Sequence, residues 1–396
     1  MRATMKVNNS YDVIVVGGGP AGSMAANAAA FKGAKTLLLE RDPNIGTPVR
    51  CAEGISVRQL ERFFPVEERF LSAKVEGIKL YSPDLTSVLV HSAEKGYVLE
   101  RAVFDRFIAE KAAASGAHLL TRSDVGGLVI ENGFVKGVYY TRFGKRYKVY
   151  GKVVVAADGV ESRVARWAGI NTTLKPSDQE STYQMVLSGI SYEHEYSHFY
   201  FGNEIAPGGY IWIFPKGKNT ANVGIGVSVD RCDSATAYNK LNSFIKRMFG
   251  KPAVISEMAG GVPVARALKP PIRDGILVAG DAGRYSNPVT GGGIYEAMVS
   301  GEHAGNIASE AIEAGDVSSK GLKKYQKLVN DDIVRVQNIG YRLKSGIWKL
   351  TDEAFNRTAR ALHDKPGEKR TARAIFLRGL STQPGLVLDV IKAFAD

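Results

Sequence analysis

Apolar positions along the chain form two kinds of pattern. Tyr11–Val16 is a short apolar run, and Lys35–Leu39, ending in three leucines, starts the next strand. Between them lie GGGPAGS and an alanine-rich stretch to about Lys32, closed by Gly33. A short apolar run bounded by turn residues predicts a strand buried on both faces, and run, glycine turn, helix, run predicts a βαβ unit. Val103, Phe104, Phe107, Ile108 and Ala112 follow a helical spacing, so 101–115 is expected to be a helix. Residues 73–98 and 128–157 predict short strands, the second set ending in KVVVAADG. Residues 181–229 predict an aromatic, strand-rich region, and ILVAG at 276–280 predicts another buried strand. Glycines 291–293 precede a helix, and 317–396 is expected to be mostly helical.

One strand breaks the usual rule. In Tyr210-Ile211-Trp212-Ile213-Phe214, successive side chains point to opposite faces, so three rings share one face and two isoleucines the other. Neither face is polar, whereas a half-exposed strand shows one polar face. The isoleucine face is expected to pack on the protein, and the ring face either to join the core or to line a ligand channel.

With 396 residues the chain is long for one core, which favours two or three domains. The net charge of +12 favours nucleic acid, anionic membrane surfaces or acidic substrates as partners. No nucleic-acid motif accompanies it, so a nucleic-acid partner is not expected. The chain has no apolar run of about 18 residues or more and no hydrophobic signal core at its start, which predicts a cytoplasmic protein. Two cysteines, Cys51 and Cys232, make neither a disulfide framework nor a metal-type spacing.

Gly17-Gly18-Gly19-Pro20-Ala21-Gly22 fits G-x-G-x-x-G between a strand and a helix. Gly17 permits the tight turn, Gly19 lets a pyrophosphate approach the backbone, and Gly22 lets helix and strand pack closely. The helix N-terminus stabilises phosphate charge. Glu40 ends the next strand, where a carboxylate accepts ribose hydroxyls. This pattern alone does not separate FAD from NAD.

Two further turns do. Val155-Ala156-Ala157-Asp158-Gly159 and Gly280-Asp281-Ala282 each follow an apolar run. Together with the glycine turn and GDAGRYSNPVTGGGI they resemble the FAD-binding domain of the para-hydroxybenzoate hydroxylase superfamily. That resemblance assigns Asp281 to the ribityl chain and sets 287–294 against the flavin ring. The helix starting near Ile294 then points its positive end at the flavin N1/C2 carbonyl region.

PVRCAEGIS at 48–56, and Pro207, Tyr210, Trp212, Phe214 and Pro215 followed by Gly224 and Gly226, are more specific. They closely resemble the geranylgeranyl reductase family, above all its archaeal digeranylgeranylglycerophospholipid reductases, over roughly residues 10–310. The tail after 320 matches only in being helical. The resemblance implies an α/β fold (α+β overall): a Rossmann-type FAD-binding domain interrupted by an antiparallel-sheet substrate domain, with a helical C-terminal region. The boundaries expected are 10–72, 97–175 and 270–316 for the first, 73–96 and 176–269 for the second, and 317–396 for the third. FAD contacts carried over position by position fall at Ala21, Glu40, Cys51, Ala52, Gly54, Arg101, Val125, Asp281, Gly293 and Ile294, besides the glycine turn. Arg101, opening Arg101-x-x-Phe104-Asp105, is suited to phosphate or flavin oxygens.

The family's activity is reduction of isolated double bonds in geranylgeranyl chains of archaeal membrane lipids by reduced FAD. Such an alkene needs a proton at one carbon and a hydride at the other. A transient tertiary cation favours a dry cavity with π faces, for which Tyr210, Trp212 and Phe214 are the candidates. Cys51 and Tyr210 are the candidate proton donors. The partners implied are a prenylated glycerophospholipid, transiently the inner face of the cell membrane, and an electron donor such as ferredoxin or NAD(P)H. The rival readings are an aromatic hydroxylase or halogenase of the same fold, since halogenases carry W-x-W-x-I-P, and a non-catalytic flavoprotein that binds prenyl lipid. His194-Glu195-Tyr196-Ser197-His198 formally matches H-E-x-x-H, but its neighbours favour strand and turn, so no metal is expected there.

Overall fold

The computed structural model describes residues 9–90, 95–233 and 235–381; His91 and the end of the expected helical tail, 382–396, lie outside them. Ser10–Val16 lies at the centre of an eight-stranded sheet. Thr36–Leu39 and His118–Leu120 follow on one side, and Lys145–Ala156 and Ile276–Val278 on the other, all parallel. The lack of apolar/polar alternation in Val13–Val16 and Leu37–Leu39 has a simple cause. Val13, Val15 and Leu38 face the core under Pro20–Phe31 and Ile294–Glu313, while Ile14, Val16, Leu37 and Leu39 face a second core beneath the sheet. A parallel strand covered on both faces cannot alternate with polar residues.

The aromatic region forms a seven-stranded sheet. Its order is Ala253–Pro263, Gln179–Ser188, Thr220–Ser228, Tyr210–Gly217, Tyr196–Tyr200, Gly77–Tyr81, Ser87–Val90. It departs from the antiparallel expectation at one place: Tyr196–Tyr200 runs parallel to Gly77–Tyr81. Those two strands come from segments far apart in sequence, so no hairpin sets their direction. The predicted strands of 73–98 divide. Gly77–Tyr81 and Ser87–Val90 extend this sheet, whereas Leu71–Val75 and Gly96–Leu99 join Gly54–Ser56 in a small three-stranded sheet.

The isoleucine face of the ring strand is core, as its pattern implied. Ile211 and Ile213 pack with Leu241, Phe244 and Ile245 of the amphipathic helix Thr236–Phe249. Among the described residues the tail forms four α-helices: Lys323–Val329, Arg335–Ile347, Asp352–His363 and Ala372–Gly379. Thr351 caps the third through the Ala354 N–H. Asp352 Oδ1 accepts the Asn203 N–H at 2.6 Å, tying that helix to the loop after Tyr196–Tyr200. Ala359 and Leu362 meet Val88 at the sheet edge, and Leu343 and Leu380 meet Val289. Among the described residues no helix is long and apolar enough to cross a membrane.

Ile211 is fully enclosed by this packing. Ile211→Ala leaves a cavity and is expected to lower stability by about 2–5 kcal/mol in denaturant unfolding.

Candidate active site

The glycine turn closes onto the neighbouring strand. Gly17 adopts φ 104°, and a side chain there would overlap the Ala157 carbonyl. At Gly19 an added Cβ would meet nothing within 4 Å, so the backbone opens onto free space. That space belongs to a cavity of about 210 Å³ walled by Gly17–Gly19, Glu40, Val125, Asp158 and Trp167 among others. The Glu40 carboxylate accepts the Gly18 N–H at 2.6 Å and the Asp42 N–H at 2.8 Å, which fixes its direction. Asp158 Oδ2 accepts the Val164 N–H at 2.9 Å. Its Oδ1 is buried with no hydrogen-bond partner among the described residues, and burial raises its pKa. A buried polar atom without a partner is costly. An orphaned acceptor beside an open glycine backbone and a helix N-terminus fits a polar dinucleotide.

A second cluster forms around residues 50–56. Glu53 holds it. Its backbone is left-handed, φ 76°, a conformation uncommon outside glycine. Its buried carboxylate accepts the Arg101 N–H on Oε1 at 2.8 Å. On Oε2 it accepts Lys216 Nζ at 2.6 Å and Asn222 Nδ2 at 2.7 Å. Lys216 also pairs with Glu100 at 2.8 Å. Asn222 Nδ2 reaches the Ala52 carbonyl, and Gln184 Nε2 the Cys51 carbonyl, each at 3.2 Å. The loop is thereby fastened to three strands of the seven-stranded sheet.

Arg101 is not a surface arginine. Its guanidinium makes a bidentate pair with buried Asp105, at 2.6 and 2.8 Å. Burial opposes its charge, but Asp105 and Cys51 outweigh it and its pKa is raised. The same guanidinium acts on Asp281, whose pKa burial lifts to about 6 against that attraction. Asp281 Oδ1 stands 3.3 Å from where a Cβ on Gly293 would lie. Ile294, Ile55 and Met24 share one apolar cluster with Cys51 packed against it. Cys51 Sγ accepts the Glu53 N–H at 3.2 Å, and burial pushes the thiol up, Arg101 partly opposing. Ala21 packs against Gly280, where an added Cβ would approach it to 2.8 Å, so the glycine turn and the Gly280-Asp281 turn touch.

The register explains the spacing of the ring motif. Tyr210, Trp212 and Phe214 pair with Gly226, Gly224 and Asn222. A side chain at Gly224 would overlap the Trp212 indole, which lies across it and donates to Gln184 Oε1 at 2.9 Å. Phe214 lies against Gly54, 2.8 Å from where a Cβ would stand. Trp212 and Phe214 therefore face the Cys51–Gly54 loop. Tyr210 does something else. Its hydroxyl donates to the Thr290 carbonyl, and burial drives its pKa far up.

Tyr210 stands at one wall of an apolar cavity of about 310 Å³. Phe199, Leu80 and Val88 of the sheet and Phe201 just past its strand form one side, and Trp348, Phe355, Leu362 and Phe376 of the tail the other. The ring face thus divides, with Tyr210 at the cavity and Trp212 and Phe214 beside it. Of the three rings, whose face was expected either to join the core or to line a ligand channel, Tyr210 lines this cavity, and the loop at 51–54 covers the other two.

The predicted residues fall into two groups. Gly17, Gly19, Glu40 and Val125 meet at the smaller cavity. Cys51, Ala52, Gly54, Arg101, Asp281, Gly293 and Ile294 gather between the two main sheets, with Ala21 and Gly22 in the helix that joins the groups. Sequence reasoning gave no role to Glu53, Lys216, Gln184, Asn222 or Glu180. Glu53 sat inside a quoted motif, but its partners are more than 40 residues away. The helical pattern of the tail does not itself say what its helices cover. His198 of the H-E-x-x-H match is buried in a strand, bonded to Tyr81 and to the Glu193 carbonyl, while His194 lies outside near Glu195. Among the described residues no group of three or more His, Cys, Asp or Glu is placed to hold a metal ion.

A Rossmann-type parallel sheet with this glycine turn, Glu40 and the Gly280-Asp281 turn defines a FAD-binding oxidoreductase. A model of the FAD binding domain matches residues 12–58, and one of the geranylgeranyl reductase catalytic domain matches 178–262. The chain is 40% identical to a digeranylgeranylglycerophospholipid reductase of Methanosarcina mazei over 98% of both chains. It is 43% identical to the one of Methanosarcina acetivorans, over 98% of this chain and 97% of that one. The crystal structure of a geranylgeranyl bacteriochlorophyll reductase-like protein from Thermoplasma acidophilum superposes with TM-score 0.91 at 36% identity, covering 98% of this chain and 100% of that one. A flavin-dependent brominase, 19% identical with TM-score 0.72 over 95% and 99% of the two chains, shares the fold. The chain belongs to the digeranylgeranylglycerophospholipid reductase family of geranylgeranyl reductases.

Removing one member of a buried ion pair leaves the other charge uncompensated. Lys216→Met is expected to cost about 3–5 kcal/mol in urea unfolding and to lower FAD content. The double variant Glu53→Gln/Lys216→Met, which leaves no charge of the pair, is expected to recover most of that stability.

Proposed function

We propose that this protein reduces isolated C=C bonds of geranylgeranyl chains in a digeranylgeranylglycerophospholipid, giving saturated chains. The observation that carries this reading is the apolar cavity between the ring strand and the tail helices. Its walls are mostly hydrocarbon and aromatic, as a prenyl chain requires, and it reaches Val289 and Thr290, which lead into the glycine run whose Gly293 lies beside Asp281. Bound FAD, once reduced, supplies hydride.

The residues of the chain bind, orient and exclude water. Gly17, Gly19 and Gly22, with the helix N-terminus, would hold the pyrophosphate, and Glu40 and Val125 the adenosine end. Ala21, Cys51, Ala52, Gly54, Arg101, Asp281, Gly293 and Ile294 would hold the ribityl and flavin end. Phe199, Phe201 and Tyr210 would present ring faces to developing positive charge in a water-poor space. Trp212, through Gln184, and Phe214, through Gly54, would keep the 51–54 loop at its station. The protein would work in the cytoplasm, resting peripherally on the inner face of the cell membrane while a chain is threaded in. A ferredoxin or NAD(P)H would recharge it.

The reductase reading and an oxygenase or halogenase reading differ in what consumes the electrons. Holoprotein reduced anaerobically with dithionite is expected to be reoxidised by geranylgeranyl lipid, with saturated chains detected by mass spectrometry. Tight coupling of oxygen uptake to substrate oxygenation would overturn the reading, and failure of lipid to reoxidise the flavin would favour a carrier. Ala359 lines the cavity and is buried. Ala359→Phe narrows it, and turnover of the C20 chain is expected to fall at least about tenfold, the ≈ 1.4 kcal/mol scale of a modest packing clash, at unchanged FAD content.

A further inference from the structure

One buried acid has no part in the arrangement above. Glu180 is the second residue of Gln179–Ser188, only 4% exposed, and its side chain lines the apolar cavity. Its Oε2 lies over Gly226, 2.8 Å from where a Cβ would stand, and Gly226 is the cross-strand partner of Tyr210. A Cβ on Gly291 would lie 3.8 Å from the Tyr210 hydroxyl and 3.9 Å from Glu180 Oε2. Both groups therefore converge on the glycine run. Among the described residues, no hydrogen bond or ion pair engages the Glu180 carboxyl. The cation that acts on it is Lys344 of the tail, whose ammonium is engaged by the Val264 and Ser177 carbonyls at 2.6 and 3.1 Å and by Asp178 at 3.6 Å.

We propose that Glu180 is the acid that delivers the proton to the prenyl double bond. The proposal rests on the reductase reading. The O–H bond of Glu180 breaks, and the alkene π electrons form the new C–H bond at the less substituted carbon. The other carbon takes the hydride that the reduced cofactor supplies. Glu180, left as carboxylate opposite the developing positive charge, regains a proton from water.

The other two candidates fit less well. The Tyr210 proton is donated to the Thr290 carbonyl, and burial makes the phenol a still weaker acid. Cys51 does not line the cavity, and burial raises its thiol too. Burial lifts Glu180 to about 7, with Lys344 opposing. It therefore holds its proton in slightly acidic medium and releases it near neutrality, where general acids work best.

Glu180→Gln tests this, since the amide keeps the shape without the acid. In anaerobic stopped flow, reoxidation of the dithionite-reduced variant by geranylgeranyl lipid is expected to slow by about 10²–10⁴-fold, with normal FAD content and dithionite reduction. Glu180→Asp is expected to retain part of the rate. The second readout needs no turnover. A carboxyl raised from 4.5 to about 7 in the folded state penalises folding once it must ionise. Wild type and Glu180→Gln should therefore differ by a constant amount below about pH 4, wild type should lose stability relative to the variant up to about pH 7, and the gap should stay constant above. Reoxidation of Glu180→Gln at the wild-type rate overturns the proposal, as do stability curves that run parallel at every pH. A wild type that lipid does not reoxidise overturns the reductase reading and the proposal with it.

Discussion

The site depends on one buried carboxylate. Glu53 spends its oxygens on the Arg101 N–H, Lys216 and Asn222, which come from three separate stretches of chain. Through these bonds the loop carrying Cys51, Ala52 and Gly54 is fixed to the start of the Arg101 helix and to the seven-stranded sheet at once. A buried ion pair adds little net stability over an apolar pair, because desolvation offsets the attraction. Its value here is positional: Glu53 has few alternative partners, so the loop has few alternative places.

From that constraint the rest follows. With the loop held, Phe214 closes on Gly54 and Trp212 reaches the Cys51 carbonyl through Gln184. Only Tyr210 is left to face the apolar cavity. The cavity is completed by the tail helices, which cover the outer edge of the sheet and leave hydrocarbon on both sides. Such a space excludes water, and this is why the carboxyl of Glu180 favours its neutral form. Apolar walls and a proton-holding acid are two results of the same burial.

Much of the cofactor end was legible because its rules are local. The glycine turn, Glu40 and the two aspartate turns each read within a few residues of a strand end, where backbone geometry decides the chemistry. The isoleucine face of 210–214 was legible for the same reason, since alternation is a property of one strand. What alternation cannot say is what lies opposite. Whether Trp212 meets a ligand or Gln184 depends on the strand two places away, and nothing in YIWIF encodes that neighbour. Arg101 shows the same limit: a bidentate partner four residues on is visible in sequence, but not that both are enclosed.

The order of elements, the dinucleotide turn, the small residues at 224 and 226 that the Trp212 ring and the Glu180 carboxyl require, and the family can all be read along the chain. Those follow from short-range sterics and from motifs contiguous in the chain. Which of three rings faces the cavity, that the tail walls it, that Glu53 joins loop to sheet and that Glu180 is, among the described residues, the one carboxyl lining the cavity were settled by the folded chain. These are contacts between residues remote in sequence, and burial, which sets their energies, is a property of the folded whole.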